Sequence, residues 1–190
     1  MSNLLDISII LIPLVLIFIV YHLVCGNKAP VNRETNNAEP AKTITQSPVV
    51  TITANYVLLD DSMKMDEGTK MSLQILAKRA CIFIFVVVKD KDEANQLKPI
   101  IAAEFDGVIE PNRILYCQTA FGRASMARQL EPVAHLDYDP EAIHQASIFF
   151  PTVLIAPNEL ESPHAKWKSN SFRSFMTSGN TDFFNLLPAQ

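Results

Sequence analysis

The chain has 190 residues, 48% hydrophobic and 19% charged, which leaves room for one ordinary globular domain plus an appendage and excludes a disordered or fibrous chain. A formal net charge of -4 and an isoelectric point near 5.5 supply no basic stripe to neutralise phosphates, so nucleic acid is not an expected partner. The three cysteines, Cys25, Cys81 and Cys117, lack the paired spacing of a zinc site or a redox disulfide, which suits a reducing compartment.

The first element is an apolar run from Ile7 to Val24, interrupted only by Ser8, Pro13, Tyr21 and His22 and free of charge. As a helix it would rise roughly 27 Å, the short end of a membrane span. A cleaved secretory signal is the competing reading, but no Lys or Arg precedes the run and no small-residue cleavage pattern follows it. Residues 1–25 are therefore expected to be an uncleaved transmembrane anchor, with His22 at the membrane interface. Palmitoylation of Cys25 is the lesser reading of that thiol. Lys28 and Arg33 follow the run, whereas Asp6 is the one charged side chain before it, so the remainder should face the cytosol. Residues 26–49, rich in Asn, Thr, Pro, Ala and Glu, read as a disordered linker with a reach of roughly 25 Å.

Residues 50–190 read as one cytosolic domain. Short β-rich runs alternate with helical ones, which predicts an α/β fold: a Rossmann-like, mostly parallel sheet of about five strands flanked by helices. The expected strands are Val50–Leu59, Ile82–Val88, Ile114–Cys117, Ala134–Leu136 and Thr152–Ala156, with apolar centres suited to burial on both faces. Four helices are expected between them. Met71–Ala80 places Leu73, Leu76, Ala77 and Ala80 on one face. A second follows Asp90, which can cap with Glu93 three residues on, and Pro99 should kink it or mark its first turn. A third covers Phe121–Leu130, burying Met126, Ala127 and Leu130. The fourth is capped by Asp139, opened by Pro140 and stopped by Pro151, with Ala142, Ile143, Ala146, Phe149 and Phe150 as its stripe. A short closing helix is expected over Asp182–Leu187.

In a doubly wound sheet, ligands bind beyond the C-terminal strand ends. Asp60 and Asp61, at the end of the first expected strand, are the suggestive carboxylate pair. A haloacid-dehalogenase-like phosphatase needs a second Asp two positions after its nucleophile, and Ser62 and Met63 stand there instead. A receiver domain needs an acceptor Asp after the third strand, which reads Leu115, Tyr116, Cys117, Gln118, Thr119. Helix capping by Asp60, Asp61 or Ser62 is the plainer expectation. The five glycines form no phosphate-cradling loop. Gly122 and Arg123 could hold an anion at a helix start, although a tight turn and a surface or salt-bridging Arg explain them as well. His135, His144 and His164 fall in separate elements without ligand spacing, and His135 with Asp137, alternate in one strand, should form a structural pair. Cys81 and Cys117, at the ends of apolar runs, read as small buried hydrophobes. No catalytic, cofactor-binding or metal residue is expected, and no small-molecule substrate.

The segment Arg113–Asp139, RILYCQTAFGRASMARQLEPVAHLDYD, resembles the peroxin-22 family. The resemblance is carried by Tyr116 and Cys117, then Gly122 and Arg123, then Arg128, Gln129, Leu130, Glu131 and Pro132, then His135 and Asp137, and weakens over Ile52–Pro151. It implies a single-pass peroxisomal or glycosomal membrane protein whose cytosolic domain recruits and co-activates a ubiquitin-conjugating enzyme, peroxin-4. Import receptors would then be ubiquitinated and recycled during matrix protein import. Under that reading the fourth helix supplies the docking surface, through Glu141, Ile143, His144, Ser147 and Phe150. The rival is a membrane-tethered phosphoryl-transfer enzyme using Asp60 and Asp61 with magnesium; an organelle-contact adaptor is a third reading.

Overall fold

The structure, a computed structural model, describes residues 47–156 and 159–188. The expected anchor, the linker up to residue 46 and the readings of His22 and Cys25 lie outside the described residues. Among those described, no helix is long and apolar enough to cross a membrane.

Among the described residues six strands form one sheet in which every pairing is parallel, so the expectation of about five is corrected by one. In chain order the elements are β1 Val49–Thr53, α1 Glu67–Ala77, β2 Cys81–Val87, α2 Lys91–Glu104, β3 Ile114–Cys117, α3 Ala120–Leu130, β4 Ala134–Asp137, α4 Pro140–Ser147, β5 Thr152–Ile155, β6 Trp167–Ser169, α5 Phe172–Thr177 and α6 Thr181–Phe184. The spatial order is β3-β2-β1-β4-β5-β6. The chain winds outward from β1 to β3 and then crosses back to β4, which makes the β1/β4 boundary the topological switch point.

The two sheet faces receive different side chains because residues alternate along each strand. One face carries Val50, Ile52, Ile82, Ile84, Val86, Leu136, Val153 and Ile155, and packs with Leu73 and Leu76 of α1, Ile101 of α2 and the aromatic rings of α5 and α6. The other carries Phe85 and Cys117 against Ala124 and Ala127 of α3, with Ala146 from α4 and Phe150 from the turn after it. Alanines at that contact let α3 and α4 approach the sheet and each other closely.

Several boundaries moved for identifiable reasons. The strand expected to reach Leu59 stops at Thr53, because the Ala54 carbonyl accepts the amides of both Leu58 and Leu59 and folds the chain into a turn, with Tyr56 at φ 61°. Val57, Leu58 and Leu59 are buried from that turn, so their apolarity mimicked a strand. Helix α1 starts earlier than expected because Asp66 caps it, accepting the amides of Gly68 and Thr69. Pro99 does not mark the first turn: α2 begins at Lys91 and runs through it, and Pro99 itself is exposed. Asp90 caps that helix as expected, through the Glu93 amide. Helix α4 ends at Ser147, so of its expected stripe only Ala142, Ile143 and Ala146 lie on it; Phe149 and Phe150 fall in the following turn, the first exposed and the second buried. The unforeseen β6 and α5 follow the least patterned stretch of the chain, and the closing helix is shorter, Thr181–Phe184.

The C-terminal elements are integral to the core. Phe183 is fully buried and meets Phe175 and Trp167 edge-on, with ring centroids 4.9 Å and 5.8 Å away. We expect Phe183→Ala to lower the unfolding free energy by about 3–5 kcal/mol, measured by urea denaturation.

Candidate functional site

The switch point is occupied by the protein's own polar groups. On the α3/α4 face of β1 and β4, the apolar pattern gives way to Thr51, Thr53, His135 and Asp137, all buried. Parallel register sets Thr51 opposite His135, and the Thr51 hydroxyl lies 2.9 Å from His135 Nδ1. One pair further along, Thr53 donates to Asp137 Oδ2 at 2.6 Å.

Arg123 enters this strip from the first turn of α3, where Thr119 caps the helix through the Gly122 amide. A side chain on Gly122 would press on the Thr119 hydroxyl at 3.1 Å, which gives a local reason for glycine there. The Arg123 side chain is 2% exposed, with Nε 2.8 Å from Asp137 Oδ2 and Nη2 2.7 Å from Asp139 Oδ2. Asp137 Oδ1 accepts the Asp139 amide, and Asp139 Oδ1 accepts the Glu141 amide as the cap of α4. The Tyr138 ring covers the guanidinium, its centroid 5.7 Å from the central carbon, and Tyr56 meets Tyr138 edge-on at 4.9 Å.

Charge follows from this geometry. Burial alone would raise the Asp137 carboxyl, but the neighbouring His135 and Arg123 together with the Thr53 hydroxyl hold it below the ordinary carboxylate range. His135 Nε2 lies 3.3 Å from Asp137 Oδ2 without hydrogen-bond geometry, and it is a buried ring nitrogen with no such partner. Burial works against the Arg123 charge, yet the Asp137 carboxylate more than compensates, so the guanidinium is held charged.

The end of β1 offers no reacting group. Ala54 has no functional side chain and its carbonyl is taken by the following turn. Asn55 spends its amide on β2, accepting the Val87 N–H at 2.7 Å and donating to the Val87 carbonyl at 3.2 Å. Asp60 and Asp61 lie beyond that turn, both exposed, and Asp60 Oδ1 accepts the amides of Ser62 and Lys64. Their expected places, at a strand end or capping a helix, are thus corrected to a surface turn. A separate cleft of about 540 Å³ lies beyond β2 and β3, lined by Lys91, Lys98, Tyr116, Cys117 and Thr119 among others. Among the described residues no group of three or more His, Cys, Asp or Glu could hold a metal ion.

Comparison with known proteins places this arrangement. A family model described as "Peroxisome biogenesis protein 22, Haloacid dehydrogenase-like domain" matches residues 43–176. The chain belongs to this family. It is also similar to Peroxisome biogenesis protein 22 of Arabidopsis thaliana, 32% identical over 71 residues, which are 35% of this chain and 25% of that protein. The match thus spans about a quarter of the curated relative. The resemblance of Arg113–Asp139 to peroxin-22 therefore identified the family.

The motif residues of that resemblance from Gly122 onward fall into three groups. Gly122, Arg123, His135 and Asp137 build the switch-point network. Leu130, Glu131 and Pro132 end α3: Leu130 packs into the α3/α4 core, Glu131 takes the left-handed cap conformation at φ 49°, and Pro132 is buried beyond it. Arg128 and Gln129 are exposed, with the Arg128 guanidinium 5.1 Å from the Phe149 ring centroid. Among the docking candidates, Glu141 and His144 are exposed and Ser147 is half-buried, whereas Ile143 and Phe150 point into the core. Those two can shape a surface only through what they support. His144 and His164, expected apart, stack at 4.2 Å between ring centroids. The sequence reading missed Thr51, Thr53 and Tyr138, and took Asp139 only as a cap; the polar interruption of two apolar strands was the available signal. It also missed Phe121, Ile148 and Phe149, which are 69%, 70% and 53% exposed. Phe121, Ile148, Phe149, Arg128 and Gln145 line one groove between α3 and the end of α4.

Replacing Asp137 by Ala leaves the buried guanidinium with Asp139 as its one carboxylate partner and should cost about 3–5 kcal/mol in urea unfolding at neutral pH. Because the folded-state pKa of Asp137 lies below its unfolded value, its contribution is fully present above about pH 4 and fades as pH falls below that. The wild-type chain should therefore lose stability between about pH 4 and pH 2 more steeply than Asp137→Asn. Burial pushes the Cys117 thiol up to about 11, so native protein at pH 7.5 should leave Cys117 unalkylated by iodoacetamide until denaturant is added, as read by peptide mass spectrometry.

Proposed function

We propose that this chain is a peroxisomal membrane anchor and co-activator, tethered through residues 1–25, whose domain faces the cytosol and recruits a ubiquitin-conjugating enzyme of the peroxin-4 kind. Membership of a family named for peroxisome biogenesis carries this reading. The charge-free apolar run Ile7–Val24 supports the membrane part. A domain held on a short leash meets a partner at an effective concentration of about a millimolar once both are confined to one surface, which gives recruitment a physical advantage without new chemistry. In this reading the domain is not an enzyme. Ala54 and Asn55 at the end of β1, and the place of Asp60 and Asp61 in an exposed turn, support this reading over phosphoryl transfer through the two carboxylates.

The docking surface in this proposal is the outer face of α3 and α4. Glu141, His144 and Ser147 contribute its polar part, and Phe121, Ile148 and Phe149 its apolar centre. Three large side chains around one groove, rimmed by Arg128 and Gln145, have the composition of an interface core with a polar margin.

The test is calorimetry between the full chain in lipid nanodiscs and peroxin-4 from the same organism. We expect stoichiometric binding, with Kd raised at least about 30-fold by Phe149→Asp or Ile148→Asp while the unfolding midpoint stays near wild type. No heat at tens of micromolar would remove the recruitment reading. Binding indifferent to both variants would remove only the surface.

A further inference from the structure

A doubly wound sheet in a family described as haloacid dehydrogenase-like implies a divalent cation beyond the β1 and β4 ends, yet the residues here do not fit one. A cation site needs carboxylate oxygens with free lone pairs and room for retained waters. Asp137 Oδ2 already receives Thr53 and Arg123, its Oδ1 receives the Asp139 amide, and Asp139 divides its oxygens between Arg123 and the Glu141 amide. The β1 end adds no carboxylate, and the Tyr138 ring lies over the guanidinium.

We propose that the Arg123 guanidinium is the resident cation of the switch point: it stands between Asp137 and Asp139 where a divalent ion would otherwise sit, and so makes the site independent of metal. Three observations converge on this. The two carboxylates aim at one group, at 2.8 Å and 2.7 Å. That group is a positive charge supplied from α3 and buried to 2% exposure, where an unpaired charge would be prohibitive. The location is the one at which open α/β sheets place their ligands. A fixed guanidinium differs from a bound ion in one functional respect, because it neither exchanges nor leaves an open coordination position for a substrate oxygen. The carboxylates become struts that join β4, α3 and the cap of α4. The inference does not depend on which partner the domain binds.

Removing the guanidinium should uncover what it replaces. In Arg123→Gln, Asp137 and Asp139 are left with a net charge of two negatives, matched to a divalent ion, with the Thr53 hydroxyl and water as further oxygens. The full chain in nanodiscs is titrated with Mn²⁺ by calorimetry, and its thermal midpoint is followed with Mg²⁺, Mn²⁺ or a chelator. Wild type should bind no Mn²⁺ in a manner sensitive to Asp139→Asn, and its midpoint should not respond to either ion. Arg123→Gln should gain Mn²⁺ affinity by about 100-fold or more over wild type, since a like charge has been removed from within about 4 Å of the ion. It should also melt higher in Mn²⁺ than in chelator, and Arg123→Gln with Asp139→Asn should lose both gains. If Arg123→Gln folds only in the presence of a divalent ion, the proposal is supported. A wild-type chain that already binds Mn²⁺ through Asp139, a folded Arg123→Gln that binds none, or an unfolded one that Mg²⁺, Mn²⁺ and Ca²⁺ all fail to restore would each overturn it.

Discussion

A carboxylate with no solvent exposure, Asp137, sits where β1 and β4 meet, and much of this fold's geometry answers to it. A lone ion there would cost several kcal/mol in desolvation, so three neighbouring segments supply groups that offset it. Thr53 reaches across from β1, Arg123 down from α3, and the Asp139 amide back from the loop that opens α4. Arg123 then extends to Asp139, whose other oxygen caps α4. One buried charge therefore constrains the register of two strands, the depth of α3 and the starting point of α4. Such a cluster specifies a geometry more than it adds stability, because a well-packed apolar replacement for the whole set could be equally stable while a single deletion could not.

The same network explains why the two faces of one sheet are built so differently. On the α1/α2 face the strands present Val, Ile and Leu to long apolar side chains, and packing there is a matter of volume. On the α3/α4 face the polar strip occupies the middle of β1 and β4, with apolar clusters to either side: Phe85 and Cys117 toward β3, Leu154 and Ile143 toward β5. Helices that pack over a polar strip need short side chains nearby so that the long one, Arg123, can reach its partners. Ala124, Ala127, Ala142 and Ala146 meet that need, and none is more than 4% exposed.

The elements that were legible in sequence are those whose formation is local. Asp90 and Asp139 are side-chain caps a few residues from what they cap, Pro140 opens a helix by its own ring, and Ile114–Cys117 is a short apolar run with the length of a strand. What periodicity could not show are decisions made across the sheet. Val57, Leu58 and Leu59 are as apolar as a strand, and only the Ala54 carbonyl, free to accept two turn amides, diverts them. β6 has three residues, Trp167, Lys168 and Ser169, with no apolar alternation, and exists because β5 has an edge to pair. Arg123 reads as a surface or salt-bridging residue; the ion pair is there, but its burial was hidden because its two carboxylates lie 14 and 16 positions downstream. The family resemblance covered this gap, since it singled out Arg123, His135 and Asp137 before any distance between them was known, although it did not show that they touch.

The relation between the buried network and the proposed docking face is itself a physical argument. Phe121 and Arg123 are two residues apart on α3, so they point to different sides of the helix, one into solvent and one into the strip. Ile148 and Phe149 follow directly on α4, whose first turn is held by Asp139. The Arg123 to Asp139 contact therefore spans the two helices whose outer surfaces meet along the groove lined by Phe121, Ile148 and Phe149. A surface made by two helices keeps its shape only if their mutual position is determined. Here small residues set the spacing of the helices and an ion pair sets their alignment. A site position that in other doubly wound proteins would be kept open for a ligand is, in this chain, closed by Arg123 and used to hold two helices in register.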